Sequence, residues 1–135
     1  MNELKGAVSP KRQIKSYRDL DVWQKAMDLI EVTYRLTKLL PKEETFGLAI
    51  QMQRAAVSVA ANIAEGHGRE HLGDYLRHLS FARGSLMELE TLVFAGQRVH
   101  RLPEGEIRSL LEMSDRVGRM LAGLQKSLRA LDARK

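Results

Sequence analysis

The chain has 135 residues, no cysteine, and 22 Lys and Arg against 17 Asp and Glu, for a formal net charge of +5. That length is one domain's worth, and the missing cysteines exclude disulfides, thiol catalysis and cysteine-ligated zinc while fitting a reducing cytoplasm. No apolar run approaches the ~20 residues of a membrane span and no leader pattern opens the chain, so a soluble cytoplasmic protein with no membrane partner is expected.

Residues 1–17 lack periodicity, contain Gly6, Ser9 and Pro10, and read as a flexible basic arm ahead of a helical domain over residues 18–135. Both ends of the chain are cationic. Lys5, Lys11, Arg12, Lys15 and Arg18 face only Glu3, and Arg116, Arg119, Lys126, Arg129, Arg134 and Lys135 face only Asp132. From Asp19 the pattern becomes helical: Leu20, Trp23, Met27, Ile30, Tyr34 and Thr37 recur at steps of three and four, with Leu29, Leu36 and Leu40 widening the stripe. Asp19, or Asp21 with Gln24, is the expected cap, and Pro41 stops the helix after Leu40.

A second helix is predicted from about Thr45 to Glu65, with Leu48, Met52, Ala55, Ala56, Val59, Asn62 and Ile63 on or near its inner side. Gly66 and Gly68 are expected to end it in left-handed conformation. The third begins near Glu70 or Asp74 and holds Tyr75, Leu79, Ala82, Leu86, Leu89, Val93 and Gly96 on one face. Further apolar residues at Leu76, Phe81, Met87, Leu92 and Phe94 make that arc too wide for one bundle face, which marks them as candidates for a subunit interface. After Pro103, Ile107, Leu110, Ser114, Val117, Leu121, Leu124, Leu128 and Leu131 form the seam of a fourth helix. Four helices with short connections predict an all-α, antiparallel up-down-up-down bundle with no strand.

The alanine-rich run Ala55-Ala56-Val57-Ser58-Val59-Ala60-Ala61-Asn62-Ile63-Ala64-Glu65-Gly66 is the most distinctive segment. Its small side chains permit close helix approach. Asn62 needs hydrogen-bond partners if buried, because an unsatisfied amide costs ~1–3 kcal/mol. Arg54, Ser58 and Glu65 share a helical face beside it, which points to a structural polar network. His67-Gly68-Arg69-Glu70-His71 spells a metal-peptidase pattern, but glycines at 66 and 68 put it at a helix break, where the two imidazoles do not share a turn. No histidine follows an arginine after four to six residues, the spacing used by helical RNA-cleaving enzymes, and no phosphate loop or nucleophile motif is present. The pairs Glu43-Glu44 and Glu88 with Glu90 read as solvent-facing charge. No enzyme activity, metal or cofactor is therefore expected.

The run from Gln51 to Gly66 resembles the signature segment of the proteins encoded in bacterial 23S rRNA intervening sequences. The similarity extends through Leu20-Asp21-Val22-Trp23-Gln24-Lys25-Ala26, Pro41-Lys42-Glu43-Glu44-Thr45-Phe46-Gly47-Leu48, Gly68-Arg69 and Ala82-Arg83-Gly84-Ser85-Leu86-Met87-Glu88-Leu89-Glu90-Thr91. On that resemblance Arg54, Ser58, Asn62, Glu65, Gly66 and Arg69 form the structural signature. It also implies a ring-like homo-oligomer, a homopentamer, as in relatives that include the accessory variability determinant proteins of diversity-generating retroelements. Those relatives associate with nucleic acid and a reverse transcriptase. The expected function is non-enzymatic binding of RNA or DNA backbone through Lys11, Arg12, Lys15, Arg18, Arg116, Arg119, Lys126 and Arg129, because phosphate contacts need cations but no particular motif. The alternative is an interaction scaffold whose basic rim docks an acidic protein. Aromatics are scarce, and because only Tyr17 or Phe46 stands off the core spacing to stack on a base, recognition of the backbone of structured RNA or DNA is expected rather than reading of single-stranded sequence.

Overall fold

A computed structural model describes residues 13–133 and contains four long helices: α1 (Asp21–Thr37), α2 (Ile50–His67), α3 (Leu72–His100) and α4 (Glu104–Ala133). Among the described residues there is no strand. The helices surround one core, with α1 touching α2 and α4, and α3 touching the same two; α2 against α3 is the most extensive contact. Glu44 meets His100, Ser58 meets Ser85 and Asn62 meets His78, so numbers rise along one side of this seam as they fall along the other. Glu90 with Ser114 and Ser80 with Gln125 give α3 and α4 the same relation. No described helix is long and apolar enough to cross a membrane.

The core stripe of α1 keeps Leu20, Leu29, Leu36, Thr37 and Leu40 of the predicted one and departs from it at the other positions. Val22, Ala26, Leu29, Thr33 and Leu36 are buried, whereas Met27 and Tyr34 are exposed and Trp23 and Ile30 only partly covered. Both sets have helical spacing; Thr33 is tolerated in the core because its hydroxyl donates to the Leu29 carbonyl at 2.7 Å. The N-terminus also differs. Ser16 and Asp19 form a capping box around a single 3-10 turn, Tyr17–Asp19, and Leu20 precedes α1 without a side-chain cap. Gln24 instead donates to the Arg18 carbonyl at 2.9 Å. Ile14 and Tyr17 pack against the core, so packing starts within the segment read as an arm.

Helix α2 starts five residues later than expected. Lys42–Glu44 form a 3-10 turn and Thr45–Ala49 a wide π-type turn, in which Gly47 leaves helical geometry at φ −109 and ψ −111. At its far end neither glycine is left-handed: Gly66 lies inside the helix and Gly68 caps it at φ −79. Among the described residues the one positive φ belongs to Arg101 (φ 51), which closes α3. The α3 and α4 seams match expectation closely, with Tyr75 and Leu131 half-buried and the remaining predicted positions buried. Gln125, absent from the predicted seam, is buried as well.

Candidate functional site

Four of the six signature residues, Ser58, Asn62, Glu65 and Gly66, meet at the α2–α3 seam. Asn62 Nδ2 donates to the Ser58 carbonyl (2.9 Å) and Ser58 Oγ (3.1 Å), while its Oδ1 faces His78 Nδ1 at 3.2 Å. Ser58 Oγ lies 2.8 Å from Ser85 Oγ, and Glu65 comes within 3.7 Å of His78. Every buried side-chain polar atom among the described residues has a partner. Such a satisfied set favours one packing of α2 on α3. Gly66 makes it possible: a Cβ there would stand 2.8 Å from His78 Cβ and 3.0 Å from the Tyr75 ring. Arg54 lies apart, exposed in a groove with Tyr34, Ile50 and Val57, and Arg69 is exposed beyond the end of α2.

His67 packs edge-on against Tyr75, with centroids 5.8 Å apart. Burial lowers its pKa, with Asp19 pulling the other way. His71 is exposed just before α3, so His67, Glu70 and His71 are not gathered, and no group of three metal-ligating side chains occurs among the described residues. Burial raises the pKa of the Tyr75 phenol.

A second polar clasp has no sequence signal, because its partners lie 56 positions apart. Glu44 accepts from the Leu48 backbone at 3.2 Å through Oε1, and its Oε2 lies 2.6 Å from His100 Nε2. Gly47 leaves room for that carboxylate, since a Cβ there would approach Oε1 to 2.5 Å. The His100 hydrogen bond, and then the Leu48 bond, hold the Glu44 carboxyl below its ordinary range. A depressed carboxyl pKa contributes stability above the unfolded value and loses it as pH falls through the folded value. Glu44→Gln should therefore be less stable than the parent at pH 7, with the gap closing below the ordinary carboxylate range. Urea denaturation of both proteins from pH 7 to 3 checks this, and a gap constant with pH would contradict it.

The predicted interface residues do not form one patch. Phe81 borders α2 beside Ser58 and Asn62, whereas Met87 and Phe94 border α4 beside Gly118 and Ile107. Leu76 and Leu92 are largely absorbed by the core, because the four-helix arrangement covers α3 on both flanks. Of the predicted basic residues, Lys11 and Arg12 lie outside the described residues. Lys15, Arg18, Arg116, Lys126 and Arg129 are exposed and make no ion pair with described residues, while Arg119 pairs with Asp115 at 3.2 Å. Arg18 also sits over the Tyr17 ring at 5.3 Å. Lys5, Lys11 and Arg12 against Glu3, together with Arg134 and Lys135, supply four of the five net charges of the +5 chain, so the described helices are nearly neutral.

Four helices on a single core, tied across α2 and α3 by an amide, hydroxyl and imidazole network, define a small all-helical protein with no group of three metal-ligating side chains among its described residues. The chain belongs to the 23S rRNA-intervening sequence protein family, whose model matches residues 18–123. Its fold is similar to the crystal structure of a protein of unknown function from the S23 ribosomal protein family of Bacteroides thetaiotaomicron. That likeness has a TM-score of 0.71 at 23% identity and covers 78% of this chain and 95% of the other. No curated protein matches the sequence significantly.

Proposed function

We propose that the protein is a non-enzymatic, oligomeric nucleic-acid-binding protein that contacts RNA or DNA backbone. The observation that carries this reading is the set of exposed cations Lys15, Arg18, Arg116, Lys126 and Arg129, none of which pairs with a described acid and to which the charge of the flanking terminal residues adds. The family's description, an rRNA-intervening sequence protein, points toward RNA. The opposed numbering across both helix seams supports an antiparallel up-down-up-down bundle. Ring assembly, taken as a homopentamer, would cover exposed Phe81, Met87 and Phe94, and would also draw on Met27, Tyr34 and Val57. Weak phosphate contacts then add through multivalency. Light scattering tests the ring.

Charge reversal at Lys126 and Arg129 should weaken binding about uniformly across sequences and flatten the dependence of log affinity on log salt by roughly 0.9 per lost phosphate contact. Arg119 should matter less, because Asp115 already holds it. Fluorescence anisotropy from 50 to 200 mM salt measures both, and salt-independent affinity would sink the reading. The exposed apolar side chains Phe81, Met87 and Phe94 favour a second reading, an interaction scaffold whose basic rim docks an acidic protein partner or a reverse transcriptase. Capture of that partner surviving nuclease treatment would select it.

A further inference from the structure

Of the two aromatics off the core spacing, Tyr17 is not available. It packs on the core and meets Trp23 edge-on at 5.2 Å. Phe46 is 89% exposed, the most exposed large apolar side chain described. Its mount is nonetheless firmly held. It lies two residues after Glu44, whose carboxylate is fixed at once by the Leu48 backbone and by His100, and one residue before Gly47, whose missing side chain admits that carboxylate. Backbone held in this way need not be ordered when the ring binds, which lowers the cost of stacking on an exposed aromatic.

The same clasp draws the C-terminus of α3 to the α1–α2 connection. Val99 and Leu39 are exposed at this end, together with the cations Lys38, Lys42, Arg98 and Arg101, none of which pairs with a described acid. Glu44 is engaged by His100; Glu43 on the turn and Glu104 and Glu106 at the start of α4 are the acids nearest in sequence to these segments. Four exposed cations on the two segments that the clasp joins, unpaired among the described residues, together with an exposed ring fit a base with its flanking phosphates better than they fit a neutral apolar partner.

We propose that this end of the protein is a stacking site for an unpaired nucleobase, with Phe46 supplying the ring face and Lys38, Lys42, Arg98 and Arg101 meeting the adjacent phosphates. The proposal rests on the nucleic-acid reading above and adds a preference for single-stranded or frayed segments, because a paired base has no free face to offer. Leucine keeps most of the apolar contact of phenylalanine but has no π face. The full-length protein is titrated with a single-stranded oligoribonucleotide carrying 2-aminopurine and with a blunt duplex of the same charge.

The parent quenches the 2-aminopurine fluorescence. Phe46→Leu binds the single strand about tenfold or more weakly and loses the quench, Phe46→Trp retains both, and duplex affinity is unchanged in all three. Equal single-strand affinity for the parent and Phe46→Leu, or equal losses for Leu and Trp, overturns the stacking site. Parallel loss on single strand and duplex also overturns it, by assigning Phe46 to assembly. If the parent binds duplex in a salt-dependent way without quenching, stacking fails and the backbone reading stands. If neither nucleic acid binds at low salt, both fall.

Discussion

Gly66→Ala should lower the melting temperature, although alanine is the better helix former. The helix-propensity gain is ~1 kcal/mol at most. Against it stands a Cβ forced to 2.8 Å from His78 Cβ, 3.0 Å from Tyr75 Cδ1 and 3.2 Å from the Tyr75 carbonyl oxygen. None of these is the yielding end of a flexible chain, so α2 and α3 must separate, and overpacking of this kind costs about 1–3 kcal/mol. Separation also stretches the Asn62 to His78 contact, already 3.2 Å. Steric cost therefore exceeds propensity for Ala, and exceeds it further for Val. Gly84→Ala is the matched control: Gly84 lies in α3 with nothing within 4 Å of an added Cβ. It should gain up to ~1 kcal/mol. At about 4 °C per kcal/mol for a domain of this size, calorimetry resolves the two signs. A stabilised Gly66→Ala protein would mean that the close approach of α2 and α3 is not structural.

The contrast between those glycines marks what the sequence carries. Periodicity located all four helices and nearly all of the α3 and α4 seams, because long amphipathic stripes leave few alternatives. It did not locate Gly66 correctly. A glycine at the end of a helical pattern signals a left-handed cap, yet this one serves a crossing contact with a helix that follows it. Likewise Glu44 and His100, or Gln125 with Ser80 and Arg83, meet only after folding, and their residue types are ordinary surface types. The Asn62 network was legible in part, since an amide within an apolar run demands partners, but His78 and Ser85 had no local sign. Charge was legible as composition and less so as surface. Arg119 differs from Lys126 in having Asp115 at the i,i+4 spacing, and the two meet at 3.2 Å.

The two apolar stripes of α1 give the second large effect. Leu29 and Leu36 are 0% and 1% exposed, and truncating either to alanine removes buried methylenes and leaves a cavity, for a loss of about 2–5 kcal/mol. That is a large share of a small domain's total stability. Met27→Ala and Tyr34→Ala should cost the isolated chain little, because both side chains are already exposed. Equal losses at all four positions would show that α1 is rotated from the orientation described. The second stripe has a different consequence if copies of the chain associate. Met27 and Tyr34 lie on the same flank of α1, and Tyr34 shares a groove with Ile50, Arg54 and Val57 of α2. Burying that flank against another copy would make truncation there visible in mass rather than in monomer stability. Chemical denaturation at low protein concentration and light scattering at high concentration separate the two. Leu29→Ala should fail the first measurement, and the double substitution of Met27 and Tyr34 should fail only the second. A double variant that keeps its full mass would leave the Phe81 flank of α3, or the α3–α4 side bearing Met87 and Phe94, to hold any assembly.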